Sequence, residues 1–110
     1  MNNSTREEKI NKYLEKAQKE LIKIQKYTEF DEQLSQYVYF DNIALAADEI
    51  IEKSYNIQLA DAGSIFEYKD EIKDVLEYIE EIKNEENDSY SELNTNDLRT
   101  SLINLQKSME

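Results

Sequence analysis

Residues 65–82 read IFEYKDEIKDVLEYIEEI, and the spacing of their large apolar side chains decides the fold. Ile65, Tyr68, Ile72, Val75, Ile79 and Ile82 recur at intervals of 3, 4, 3, 4 and 3. That rhythm keeps one face of an α-helix apolar, whereas a half-buried strand needs a period of two. Leu76 widens the seam, and the spacing predicts a helix over about 65–84.

The same rhythm recurs upstream and downstream. Ile10, Leu14, Ala17, Leu21 and Ile24 follow at 4, 3, 4 and 3, predicting a helix over about 5–27. Ser4 with Glu7, or Thr5 with Glu8, has the spacing of a capping box for its start. Near KYTEFDE the pattern breaks, and either Thr28 caps a following helix there or the helix kinks rather than stops. Phe30, Leu34, Tyr37 and Val38 form one patch and Ile43, Ala47, Ile50 and Ile51 another, so 29–39 and 41–55 are expected to be helical. SYNIQLADAGS then interrupts the periodicity. Gly63 can take the left-handed conformation there, and Ser64 with Glu67 has capping-box spacing. NEENDSYSELNTN reads as a solvated loop, and Leu98, Leu102, Leu105 and Met109 mark a last helix over about 96–108.

Composition supports the same class. Among 110 residues there is no proline and one glycine. Sheets need tight turns built from those residues, so the expectation is an all-α, compact bundle of four to five helices forming a single domain. A chain of this length buries roughly two thirds of the surface it exposes when unfolded.

Cysteine and histidine are both absent. Disulfides and thiolate sites are thereby excluded, and so are zinc, haem and Cys/His catalysis as usually built. NEENDSYSELNT lacks the glycine at position six and the glutamate at position twelve of a calcium-binding EF-hand loop, where Ser89 and Thr95 stand instead. No cofactor, no metal and no enzymatic activity are expected. MNNSTREEKI has no apolar core of a signal peptide, and no apolar run is long enough to span a membrane, so a cytoplasmic protein is expected.

Charge is the remaining signal. The net charge is −12, distributed as +3 over residues 1–27, −7 over 28–66, −8 over 67–92 and zero beyond. Such a surface repels nucleic acid and anionic membranes, and its natural partner is a basic protein. At 100° per residue, Glu67, Asp70, Asp74, Glu77 and Glu81 fall within about 80° of one another, opposite the apolar seam. This ladder continues into Glu85, Glu86, Asp88 and Glu92. It has a local cost, because Glu67/Glu71, Asp70/Asp74 and Glu77/Glu81 are like-charge pairs, each destabilising by roughly 0.2 to 0.5 kcal/mol. Lys12, Lys16, Lys19, Lys23 and Lys26 form the opposite stripe on the first helix, supported by the i to i+4 pairs Glu8–Lys12 and Glu15–Lys19.

Carboxylates on a wet face do not split their pKa values for catalysis. They can instead fill an Arg/Lys channel. The expected function is therefore a non-enzymatic stoichiometric inhibitor of a basic, nucleic-acid-handling bacterial protein, acting as anti-defence or anti-CRISPR proteins do, with DNA mimicry as one mode. The contact residues are Glu67, Asp70, Asp74, Glu77, Glu81, Glu85, Glu86 and Asp88. A second contact is expected at Tyr37 and Tyr39, since four consecutive large residues in YVYF cannot all face inward and tyrosine is favoured at binding hot spots. Two alternatives use the same features: an immunity protein or antitoxin neutralising a cognate toxin, and a structural protein assembling through its lysine stripe and its ladder. The apolar seams also leave a homodimer open as a way to add burial.

Overall fold

A computed structural model describes residues 2–34, 41–85 and 95–110, with side-chain surroundings described for 5–26, 47–83 and 95–110. Among the described residues there are helices and no strands. The order is α1 (Asn2–Leu34), α2 (Asp41–Lys53), α3 (Tyr55–Leu59), a 3-10 turn (Ser64–Tyr68), α4 (Lys69–Glu85) and α5 (Asn96–Met109). The all-α bundle is as the periodicity predicts.

The predicted seams are the core. Ile10, Leu14, Ala17, Leu21 and Ile24 of α1 are buried, as are Ile65, Ile72, Val75, Ile79 and Ile82, and Leu98, Leu102, Leu105 and Met109 of α5. Ala47, Ile50 and Ile57 complete it from α2 and α3, with Tyr68 and Leu76 packed at its edge. In cross-section α1 packs on α5 and α2, α2 packs on α4, and α4 closes the ring on α5. The two charged helices α1 and α4 therefore stand diagonally across the bundle. With 33 residues at 1.5 Å each, α1 is about 50 Å long and sets the 53 Å length of the molecule.

Three boundaries differ from expectation. The first helix starts at Asn2 and runs without interruption through Thr28 to Leu34, so Ser4 and Thr5 lie inside it and no separate helix begins at residue 29. A threonine caps only where the chain leaves helical dihedrals; YTEFDEQL contains no Gly or Pro to force that exit, and propagation adds a hydrogen bond per residue. Residues 35–40, with Tyr37 and Tyr39, lie outside the described residues.

The segment read as one helix over 41–55 is bent at Ser54. Its buried hydroxyl donates to the Ile51 carbonyl at 3.1 Å. The backbone nevertheless keeps the helical bonds Ser54 N to Ile50 O and Gln58 N to Ser54 O, both 2.9 Å, so α3 continues the register of α2. Hydroxyl back-bonding of this kind bends helices without ending them. The Gln18 side chain of α1 then donates to the carbonyls of Ile57, Gln58 and Ala60 at 3.1, 3.3 and 3.2 Å, satisfying the end of α3.

The third difference concerns Gly63 and Ser64. The cap is Asp61: its Oδ1 accepts from Gly63 N at 3.0 Å and Ser64 N at 2.8 Å, while Ser64 Oγ accepts from Asp61 N at 3.0 Å. This reciprocal box lies three residues upstream of the expected Ser64/Glu67 pair, and a carboxylate is the stronger acceptor. The amide and hydroxyl of Ser64 hold the Asp61 carboxyl below its ordinary range. A lowered folded value means that its stabilisation is complete above the unfolded pKa of about 3.9 and is lost as pH falls through the lower folded value. Asp61→Asn keeps a capping oxygen but cannot titrate, so it is expected to flatten this part of the acid limb in melting temperature measured against pH.

Gly63 itself has φ −82° and ψ −45°, right-handed and open to any residue. A Cβ there would meet only Asp61 Oδ1, at an ordinary 3.5 Å. Gly63→Ala is therefore expected to raise stability by about 0.4 to 1 kcal/mol by narrowing the unfolded ensemble, measured by urea denaturation.

Candidate partner-binding face

The core seam turns the carboxylates of α4 outward. Two side-chain bonds fix the rotation of the helix. On the flank toward α2 and α3, Asn56 Nδ2 donates to Glu71 Oε1 at 2.8 Å. On the flank toward α5, Arg99 Nε pairs with Glu80 Oε1 at 2.7 Å. Glu71 and Glu80 are about 180° apart around α4, and the solvent arc between them holds Asp70, Asp74, Glu77 and Glu81, with Tyr78 toward the Glu71 edge and exposed Lys73 toward the Glu80 edge. Asp70, Glu77 and Glu81 are exposed, and Asp74 is half-buried.

From Asp70 to Glu81 the arc extends about 17 Å at 1.5 Å per residue. Glu67, also exposed, belongs to the 3-10 turn rather than to α4, so uniform 100° spacing does not place it. Among the described residues no Lys or Arg lies within ion-pair distance of Glu67, Asp70, Asp74, Glu77 or Glu81. The face is thus net negative, with Lys73 the basic side chain within its arc. Glu85 ends α4 and its side chain is not among those described; Glu86 and Asp88 fall outside the described residues, as do Tyr37 and Tyr39.

At the α2 edge of the face, the Glu49 carboxylate beside Tyr78 pushes the phenol above its ordinary pKa, with burial acting in the same direction and Lys53 opposing. Tyr78 therefore stays a neutral donor next to the acids. Glu71 keeps one oxygen, Oε2, buried and without a partner. Its hydrogen bond to Asn56 diverts this carboxylate from the outer arc and from the clash with Glu67 that the sequence implied.

The opposite stripe is also exposed: Lys12, Lys16, Lys19, Lys23 and Lys26 all face solvent on α1. Neither Glu8–Lys12 nor Glu15–Lys19 closes to ion-pair distance; the pair that forms is Lys23 with Glu20, at 2.8 Å. With α1 and α4 on the diagonal, the stripes point in opposite directions and cannot neutralise each other within one molecule. The lysine stripe is diluted by exposed Glu8 and Glu15, whereas the opposite side of the bundle is strongly negative.

Periodicity did not single out Tyr55 and Leu59, which are 64% and 70% exposed on α3. Their spacing of four, out of phase with buried Ile50 and Ile57, was the available signal. At the pole where α1 starts and α5 ends, Arg6 donates to the Ser108 and Met109 carbonyls at 3.2 and 2.6 Å and sits 5.4 Å from the centre of the Phe66 ring. An open cleft there, lined by Arg6, Glu7, Ile10, Ala62, Gly63 and Phe66, has about 280 Å³. That is below the usual volume of an organic-ligand site.

Among the described residues no three acidic side chains converge on a metal-sized site, and no helix is long and apolar enough to cross a membrane. Among the described residues, fold and surface define an acidic all-α bundle with a net-negative carboxylate face on α4. Comparison of the chain with protein-family models, curated proteins and solved structures finds no match.

Proposed function

We propose that the protein is a non-enzymatic stoichiometric inhibitor, acting in the cytoplasm, that places the outer arc of α4 in the basic channel of a nucleic-acid-handling protein. The observation that carries this reading is the arc itself. Three exposed carboxylates and one half-buried one lie along about 17 Å of a helix held in rotation by bonds on both flanks.

Leaving these groups unpaired costs the isolated helix stability through the Asp70/Asp74 and Glu77/Glu81 repulsions, and a cationic partner removes that cost on binding. Arg and Lys side chains would pair with the arc through charge-assisted hydrogen bonds, and the field of a −12 chain would steer the encounter. Occupying the channel excludes the phosphate backbone by competition for the same cations. An immunity protein or antitoxin uses the same face against a toxin, so the nature of the captured partner separates the two.

The test is capture from host lysate at matched salt, with bound proteins identified by mass spectrometry, comparing the native chain with an Asp70→Lys, Glu77→Lys, Glu81→Lys variant. A basic nuclease or effector bound by the native chain and lost by the variant supports the proposal. Equal capture by both removes α4 from the interface.

A further inference from the structure

The outward side of α2 and α3 carries a second, chemically different stripe. Asp48, Glu52, Tyr55 and Leu59 recur at 4, 3 and 4, and all four are exposed. Because the helical bonds Ser54 N to Ile50 O and Gln58 N to Ser54 O carry the register across the bend, the stripe is continuous over about 17 Å. One half is anionic and the other apolar.

Singly exposed apolar side chains are ordinary on any surface. Here two large ones stand one turn apart on a helix of five residues, with Ile57 wholly buried on its inner side. The Gln18 clamp on three carbonyls fixes that helix against α1. Tyr55 and Leu59 are therefore presented by a fixed backbone, which reduces the ordering cost that weakens most exposed apolar contacts.

We propose that this stripe docks a basic amphipathic helix of the partner, its apolar residues on Tyr55 and Leu59 and its Lys/Arg residues toward Glu52. The occupant follows from charge. Neighbouring α4 is negative, whereas α1 on the other side of α3 exposes Lys19, Lys23 and Lys26. A cationic segment is drawn toward α4 and away from α1, which also sets its orientation. An acidic or neutral helix would gain nothing from Glu52, and an anionic lipid surface would be repelled by it. The inference rests on the reading of a basic partner but adds an apolar anchor on different residues.

The test uses two synthetic peptides of fourteen residues on the full chain: a leucine–lysine amphipathic helix and an oligolysine. Tyr55→Ser, Leu59→Ser together are expected to weaken the leucine–lysine peptide by at least about tenfold, as for loss of hot-spot side chains, and to leave oligolysine binding unchanged. Amide shift changes in the native chain should cluster over residues 48–60. Both substituted positions are exposed, and an unchanged circular dichroism melt verifies that the variant folds. Equal affinity of the leucine–lysine peptide for native and variant chains, or shift changes that avoid α3, would overturn the proposal. The dependence of oligolysine on Asp70, Glu77 and Glu81 tests the α4 face separately, so failure of one site is distinguishable from failure of the other.

Discussion

The Asp70→Lys, Glu77→Lys, Glu81→Lys variant is expected to associate with the basic partner about 100-fold more slowly than the native chain, with little change in melting temperature. The substitutions take these three positions from −3 to +3 while leaving every core residue in place. Electrostatic steering raises association rates by roughly 10- to 1,000-fold, and reversing the sign of the contact face removes it. Stability should hold because the positions are exposed and the pair terms are small and opposed: the Asp70/Asp74 repulsion becomes an attraction, the repulsion between positions 77 and 81 persists with its sign reversed, and Lys73 loses its opposite-charge neighbours at 70 and 77, each change worth roughly 0.2 to 0.5 kcal/mol. Surface plasmon resonance at 50 mM and 500 mM salt reads the effect. The native rate should fall steeply with salt and the variant's should not. A native rate independent of salt would transfer the interface to uncharged groups, with Tyr55 and Leu59 the first to examine.

Leu102→Ala is expected to destabilise the fold by about 2 to 5 kcal/mol, the range for truncating a fully buried leucine when the cavity relaxes only partly. Leu102 is wholly buried in α5, the helix that packs along α1. Domains of this size have a total stability of about 5 to 15 kcal/mol, so the loss removes a substantial fraction and lowers the melting temperature by on the order of 10 °C or more. Leu59→Ala is the control: the same change at an exposed position should fall within about 0.5 kcal/mol. Circular dichroism melts of the two variants side by side test whether the seam, rather than leucine content, holds the bundle. Equal melting temperatures would contradict the packing described for α5.

The core is readable because every seam obeys one period and no competing interaction acts on it. Ile10 to Ile24, Ile65 to Ile82 and Leu98 to Met109 can be assigned from spacing alone, since burial of an apolar stripe is the largest driving force acting on these segments. Boundaries are harder to read because they depend on competition between local groups. Thr28 offers a cap and loses to propagation, whereas Asp61 captures two backbone amides in a segment where Gly63 and Ser64 are the more conspicuous residues. The bend at Ser54 leaves almost no trace in the sequence, because a serine whose hydroxyl donates to Ile51 O is written the same way as one facing water.

The carboxylate face is legible as an arc, and its limits are not. Asn56 lies 15 residues from Glu71, and Arg99 lies 19 from Glu80, so the bonds that divert two acids from the outer arc are invisible to helical arithmetic. Glu67 falls in with α4 on spacing because a 3-10 turn and an α-helix share the same apolar pattern over so few residues. Tyr55 and Leu59 escape notice for the opposite reason. A search for buried periodicity treats the residues out of phase as solvent-facing remainder, and an exposed anchor is such a remainder.

The contact between Arg6 and the last carbonyls of α5 has a mechanical consequence. It places the beginning of α1 and the end of α5 at the same pole, with the two helices antiparallel along their shared seam. Tension applied between residues 2 and 110 would therefore act across the seam rather than along it, opening it like a zip from the Arg6 end. Arg6 and Met109 would part first, while Leu21 remained unloaded until the opening reached it. In single-molecule pulling the resistance would come from one turn at a time, never from the whole seam at once.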